Sequence, residues 1–92
     1  DAKVYATGII VKVKDVDTTG KYGNGTFVIS DDGKDTEGKT LEVFRCFNID
    51  GAKWTEETKK ILVPGKKVVV SGTLLDYNGT KEIKGGNLIS IK

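Results

Sequence analysis

The chain has 92 residues, of which 37% are hydrophobic and 30% charged, and this fits one globular domain over 1–92 with a modest core. It has no histidine and a single cysteine, so an internal disulfide is excluded and zinc or catalytic-triad chemistry is disfavoured. No stretch approaches the roughly 18 apolar residues that cross a bilayer, and the first residues lack the basic and apolar parts of a signal peptide. We therefore expect no membrane insertion.

Charge is small overall but uneven along the chain. The net charge is +2, with acidic residues in excess over 1–50 and basic residues in excess over 51–92. All but one of the 15 basic residues are lysines. Lysine is a point charge without the planar fork with which arginine reads guanine edges or grips phosphate. Sequence-specific reading of bases is therefore disfavoured.

The chain begins with three predicted strands. Apolar residues alternate with a period of two over 4–13, where Ile9, Val11 and Val13 share a face opposite Ile10, and Gly8 predicts a bulge or bend. After a polar connection comes a second strand over 26–30, with an apolar face formed by Phe27 and Ile29 and an opposite face formed by Thr26, Val28 and Ser30. A third strand follows the loop over 31–39. Its two faces are Leu41 and Val43 on one side, and Glu42, Phe44 and Cys46 on the other.

The alternation stops between residues 48 and 63. The stretch 54–62 predicts one short helix with Thr55 as its N-cap, ended by Pro64 and Gly65, and with Trp54 as a core or cap residue. Alternation resumes in a fourth strand from Val68, which turns at the hairpin signal 78–79 (Asn-Gly). The last run, 80–91, is the fifth strand, interrupted by a bulge or kink at the glycine pair 85–86.

Three strands, a short helix and a two-strand hairpin are the element order of the OB-fold, a five-stranded Greek-key barrel. We therefore predict an all-β chain of this fold, with the helix between strands 3 and 4 covering one end of the barrel. The competing architecture is an SH3-like barrel, which does not need the helical insert.

Three segments carry a resemblance to a known group of domains. They are 25–33 (GTFVISDDG), 41–46 (LEVFRC) and 63–72 (VPGKKVVVSG). Together they resemble OB-fold modules of exported bacterial proteins, which are usually described as nucleic-acid-binding domains. The resemblance implies a periplasmic or extracellular location and frequent occurrence as one module of a larger polypeptide.

The predicted ligand site lies on the face of strands 2 and 3, which OB-folds use together with the loops after strands 1 and 4. On this face Val28 and Phe44 are the apolar residues, and Phe44 is the aromatic ring able to stack a base. The two framing loops carry Tyr22 and Tyr77, with Lys21 and Lys81 next to them in a position to meet phosphate. We expect both loops to approach the same rim, so that the three rings form one platform. The alternative interpretation is that the Asn-Gly pairs only form tight turns and the tyrosines cover barrel edges.

Several other groups are better explained by structure than by function. The acidic loop 31–37 loosely has the spacing of a calcium loop but lacks its last glutamate, so a solvated turn is expected and no metal or cofactor is predicted. The lysine cluster of 53, 59, 60, 66 and 67 is partly neutralised by Glu56 and Glu57 and lies away from the usual ligand face. Cys46 has no histidine partner and is expected to pack within a strand.

Three binding functions follow from this sequence, and catalysis is the least favoured class because no nucleophile, base and oxyanion arrangement can be assembled. The leading hypothesis is weak, sequence-tolerant binding of single-stranded nucleic acid, which predicts strong salt dependence. The alternative is an interaction module that docks another protein or another domain of its parent chain through Val28, Phe44 and the exposed side of strand 4. Oligosaccharide binding, with tyrosines stacking on sugar rings, is the third hypothesis.

Overall fold

The fold is all-β, and the computed structural model describes residues 3–77 and 79–92, apart from the side chains of Tyr77 and Thr80. The six strands are β1 (Lys3–Val16), β2 (Gly25–Ser30), β3 (Thr40–Cys46), β4 (Lys67–Tyr77), β5 (Thr80–Lys84) and β6 (Leu88–Ile91). Within the described ranges no helix is long and apolar enough to span a bilayer.

The strands close into a barrel through the long strand β1. Its first half pairs with β4 and its second half pairs with β2, both antiparallel. β2 continues to β3, β3 pairs with β5 in parallel, and β5 returns to β4. This closed five-stranded circuit is the OB-fold, so the predicted fold class is confirmed.

β5 and β6 together form the predicted fifth strand. Both pair with the same edge of β4, and the break between them falls at the glycine pair, as predicted. A Cβ on Gly86 would overlap the backbone carbonyl oxygen of Ser71, and Gly85 has a φ of +71°. Tyr77 pairs with Thr80 across the predicted hairpin, and Gly79 has a φ of +80°, while Asn78 lies outside the described residues.

Two β-bulges make the predicted strand faces wrong. In β1 the register with β2 shifts between Ile10 and Lys12, so that Ile10 is fully buried and Val13 returns to the core side instead of lying opposite it. In β3 an extra residue at Arg45 carries Cys46 into the core, away from the face of Phe44. One inserted residue reverses the side of every later side chain because the period of a strand is two.

The predicted single helix over 54–62 is also wrong in extent and type. The structure has two short 3₁₀ turns, Ile49–Gly51 and Thr58–Ile61. The predicted N-cap Thr55 lies before the second turn, whose N-cap position is Glu57, but its hydroxyl accepts from the amide of Thr58 at 3.1 Å and its amide donates to the Thr58 hydroxyl at 2.9 Å. No residue of Thr58–Ile61 is buried, so this short segment gains little packing to offset the cost of nucleating an α-helix.

Trp54 fixes this irregular segment to the end of the barrel. Its ring is 1% exposed, and its Nε1 donates to the carbonyl of Cys46 at 2.9 Å, in agreement with its predicted core position. The segment therefore has a defined position next to the β1–β2 loop. The core residues around it are Ile10, Phe27, Ile29, Val43, Cys46, Leu62, Val68, Val70, Ile83 and Leu88.

Candidate ligand-binding grooves

A groove of about 550 Å³ lies between the β1–β2 loop (residues 17–24) and the end of β3. We call it the loop groove. Lys21 and Tyr22 of the loop line it, together with Asp15 and Val16 at the end of β1 and Arg45 of β3. The loop groove therefore places an aromatic ring next to two cations at one end of the β2–β3 face.

Asp17 gives the loop its shape. Its carboxylate accepts hydrogen bonds from the hydroxyl and amide of Thr19, at 2.6 and 2.9 Å, and from the amides of Tyr22 and Gly23, at 2.7 and 2.9 Å. These hydrogen bonds hold the pKa of Asp17 far below its usual range, and the bond from the Thr19 hydroxyl has the largest effect. The carboxylate is thus directed into the loop, where it fixes the backbone that carries Tyr22.

Residues of the irregular segment hold the loop from the other side. Lys53 Nζ donates to the carbonyl of Gly20 at 2.8 Å, and the amide of Trp54 donates to the carbonyl of Gly23 at 2.9 Å. The stem of Lys53 lies so close to Gly23 that a Cβ there would overlap it. The loop is consequently organised before any ligand arrives, which lowers the entropic cost of binding.

Glu56 links the loop to the second 3₁₀ turn. It accepts a hydrogen bond from the hydroxyl of Thr18 and forms an ion pair with Lys59 at 3.1 Å. The bond from Thr18 and the charge of Lys59 lower the pKa of Glu56. Glu56 therefore carries its negative charge at the rim of the loop groove.

Arg45 is the groove residue that sequence reasoning missed. Its guanidinium carbon lies 4.9 Å from the centre of the Phe44 ring, a distance that gives a cation–π contact. It occupies the left-handed region with φ of +56°, and its amide donates to the Thr26 hydroxyl at 3.2 Å. An L-residue in this region costs about 1 to 2 kcal/mol. Two signals mark it in the sequence, since it is the lone arginine and it follows Phe44.

Two of the predicted site residues lie at the loop groove itself. Tyr22 is 61% exposed, and Lys21 Nζ lies 5.3 Å from the centre of its ring. Phe44 is half-buried beneath Arg45, so a ligand meets the guanidinium plane before it meets the ring. The structure thus brings Lys21 and Tyr22 to one groove and joins Phe44 to it through Arg45.

Val28 is on the predicted face but is only 5% exposed. An ion pair between Lys14 of β1 and Glu42 of β3 spans β2 on this side, because β2 lies between those two strands. Val28 itself pairs with Lys12 and Glu42. Its side chain therefore offers little area to a ligand.

The β4–β5 hairpin does not share a rim with the β1–β2 loop. Glu82 of β5 pairs with Glu42 near the start of β3, whereas the loop ends at Gly25, opposite Cys46 at the end of β3. The hairpin ends at Thr80, two residues before Glu82, so the two loops are about six residues of strand apart, or about 20 Å at roughly 3.3 Å per residue. Lys81 is exposed on the hairpin opposite Asp76, and the side chain of Tyr77 lies outside the described part.

The remaining candidates have structural partners. Asp32 accepts from the Ser30 hydroxyl at 3.2 Å and from the Lys34 amide at 2.9 Å, and Asp35 forms an ion pair with Lys12 at 3.1 Å, which is the expected solvated turn. Cys46 is in the core as a free thiol, and burial raises its pKa to about 12. A thiol in this state is a poor nucleophile.

Comparison with known proteins supports the fold. No family model matches the sequence, and the search of curated proteins finds no match. Among solved structures, a chain of the S. pombe Stn1-ten1 complex is similar, with a TM-score of 0.50 and 15% identity over 98% of this chain and 56% of that one. The protein thus spans about half the length of the chain it matches. An identity this low shows a shared fold alone.

Proposed function

We propose that this OB-fold is a non-catalytic binding module that takes single-stranded nucleic acid, without sequence preference, in the loop groove. One observation carries the proposal. The Arg45 guanidinium lies over the Phe44 ring at the same groove that Lys21 and Tyr22 line. A ring and a guanidinium plane can stack bases, and the cations can meet phosphates.

Chemistry at the groove favours weak and sequence-tolerant binding. Stacking accepts every base because each has a flat face, and it contributes about 1 to 3 kcal/mol per base. Two stacking surfaces, Tyr22 and Arg45, supply at most about 6 kcal/mol, which corresponds to a dissociation constant on the order of 10 to 100 µM. Asp15 and Asp17 also line the groove and offset part of the attraction of Lys21 and Arg45 for phosphate, which keeps binding weak.

The test is a titration of isotope-labelled protein with a short oligothymidine at low salt, in which the backbone amide chemical shifts are measured. We expect shifts at Lys21, Tyr22, Phe44 and Arg45 that fade as salt is raised, because phosphate contacts release counterions. Tyr22→Ala should weaken binding about tenfold, the loss of one stacked base.

Tyr5→Ala is the matched control. Tyr5 is 71% exposed, and it lies on β1 opposite Ser71 of β4, ten residues before Asp15. That is about 30 Å along the strand at roughly 3.3 Å per residue, so its loss should leave binding unchanged. Silence at millimolar oligonucleotide with an intact spectrum would contradict the proposal and direct the search to protein and glycan partners.

A further inference from the structure

A second groove continues from the first along the end of β1. It has a volume of about 430 Å³ and is lined by Lys14, Lys59 and Lys60, with an apolar floor from Val13 and Leu62. We call it the lysine groove. Asp15 and Val16 line both grooves, so the two are adjacent at the end of β1, one bordered by Arg45 and the other by the second 3₁₀ turn.

The lysine groove has an excess of positive charge that the loop groove lacks. Three lysines line it against a single carboxylate, that of Asp15. Lys60 forms no ion pair with any other described residue, while Lys59 pairs with Glu56 and Lys14 pairs with Glu42. The Lys59–Glu56 pair lies at the solvent-exposed surface, whereas the Glu42 side chain of the other pair is only 21% exposed. An exposed pair contributes little, so a phosphate oxygen can replace the Glu56 carboxylate as the partner of Lys59.

The lining also indicates which part of a nucleic acid the lysine groove would accept. It contains no aromatic ring and no arginine, so it has no plane on which a base can stack. Lysines bind phosphate as point charges with rotatable donors, and they do not read base edges. Of the apolar residues that line it, Val13 is half-buried and can contact a sugar, whereas Leu62 is buried. This is the chemistry of a sugar–phosphate backbone.

We propose that the lysine groove is a phosphate-backbone subsite, which extends the strand held in the loop groove past the end of β1 to Lys59 and Lys60. The inference rests on the proposed function, because it assigns a second part of the same ligand. It differs from the predicted site, which ran from the loop groove across β2 and β3 to the β4–β5 hairpin. In the proposed path, the bound nucleic-acid strand leaves the face of β2 and β3 at Asp15.

Glu56 links one residue of each groove lining. Its carboxylate binds Thr18, which lines the loop groove, and pairs with Lys59, which lines the lysine groove. A strand that passes from one groove to the other comes close to this negative charge. Glu56 therefore opposes the passage of phosphate and reduces the affinity for strands long enough to reach the lysine groove.

The experiment measures binding of a four-nucleotide and a twelve-nucleotide oligothymidine to the wild-type chain and to the double variant Lys59→Ala, Lys60→Ala. Variants are compared at one oligonucleotide length, since a longer strand binds more tightly merely because it offers more registers. We expect the double variant to bind the short strand like the wild type and the long strand more weakly. Because the variant lacks two lysines that neutralise phosphates, the slope of log K against log salt should become shallower by about 1.4 for the long strand. Between 50 and 200 mM salt the wild type should thus lose about sevenfold more affinity than the variant.

The charge-matched control is Lys34→Ala, Lys39→Ala, which removes two lysines from the β2–β3 loop at the opposite end of β2 and β3. Thermal unfolding of each variant establishes that it is folded. Equal weakening of long-strand binding by the control, or equal weakening of both lengths by Lys59→Ala, Lys60→Ala, overturns the lysine groove as a subsite and leaves the loop groove intact. Absence of short-strand binding in the wild type contradicts the proposed function instead.

Discussion

Replacing Arg45 with glycine and with alanine separates its role in the fold from its role at the groove. At an ordinary β-strand position, a protein with glycine is less stable than the same protein with alanine by about 0.5 to 1 kcal/mol. At this position the order should reverse, because Arg45 has a φ of +56° in the bulge of β3. Arg45→Gly should therefore be more stable than Arg45→Ala.

The difference between the two variants follows from two contributions. An L-residue in the left-handed region costs about 1 to 2 kcal/mol, which alanine keeps and glycine removes. The glycine variant loses about 0.4 to 1 kcal/mol of this gain, because its unfolded chain has more conformational freedom than that of the alanine variant. The difference is about 1 kcal/mol in favour of glycine. Both variants remove the guanidinium from the Phe44 ring, an interaction that contributes about 0.5 to 1 kcal/mol at an exposed site.

Urea unfolding followed by fluorescence of Trp54, the single and buried tryptophan, measures this difference. The unfolding transition measured by circular dichroism should coincide with the one measured by fluorescence. The expected difference of about 1 kcal/mol corresponds to about 4 to 8 °C in melting temperature. Both variants should weaken oligothymidine binding to the same extent, since both remove the guanidinium. If Arg45→Ala is at least as stable as Arg45→Gly, the bulge does not hold this residue in the left-handed region and the reasoning is refuted.

Three further predictions concern the fold and the loop. Gly86→Ala should lose at least about 2 kcal/mol of unfolding free energy or fail to fold, because its Cβ would overlap the backbone of Ser71 and break hydrogen bonds of about 1 kcal/mol each; Gly38→Ala, in open space, should lose only about 1 kcal/mol. The raised pKa of Cys46 stabilises the fold below pH 9 and this contribution is lost as pH rises towards 12, so urea unfolding at pH 10 should show a loss of about 1 kcal/mol that Cys46→Ala lacks. Asp17→Asn should speed amide hydrogen exchange in the β1–β2 loop and weaken oligothymidine binding, because the loop loses its carboxylate acceptor. In the wild type the pKa of Asp17 is lowered, so the protection of the loop amides against exchange persists above about pH 4 and is lost as acid protonates the carboxylate. Unchanged exchange in Asp17→Asn, or an equal loss of stability at pH 10 in Cys46→Ala, would contradict the corresponding prediction.

Part of the candidate site was predictable from the sequence. Tyr22 and Lys21 were identified because a polar, glycine-rich connection after the first strand frames the ligand face of an OB-fold. Val28 was expected on that face, but the ion pair between Lys14 and Glu42 spans the strand that carries it. The sequence contains both charges but not the register that joins them across β2.

Local chemistry alone determined the order of the strands along the chain, the hairpin before Thr80 and the break at Gly85 and Gly86. Alternation, turn-forming residues and glycines act over a few neighbouring residues, so they can be read without knowing the pairing partners. Only the tertiary structure decided the bulges, and with them the position of Arg45, the burial of Cys46 and the course of the two grooves. A bulge is a mismatch between two paired strands, and its place depends on how β2 aligns with β1 and β3 when the barrel closes.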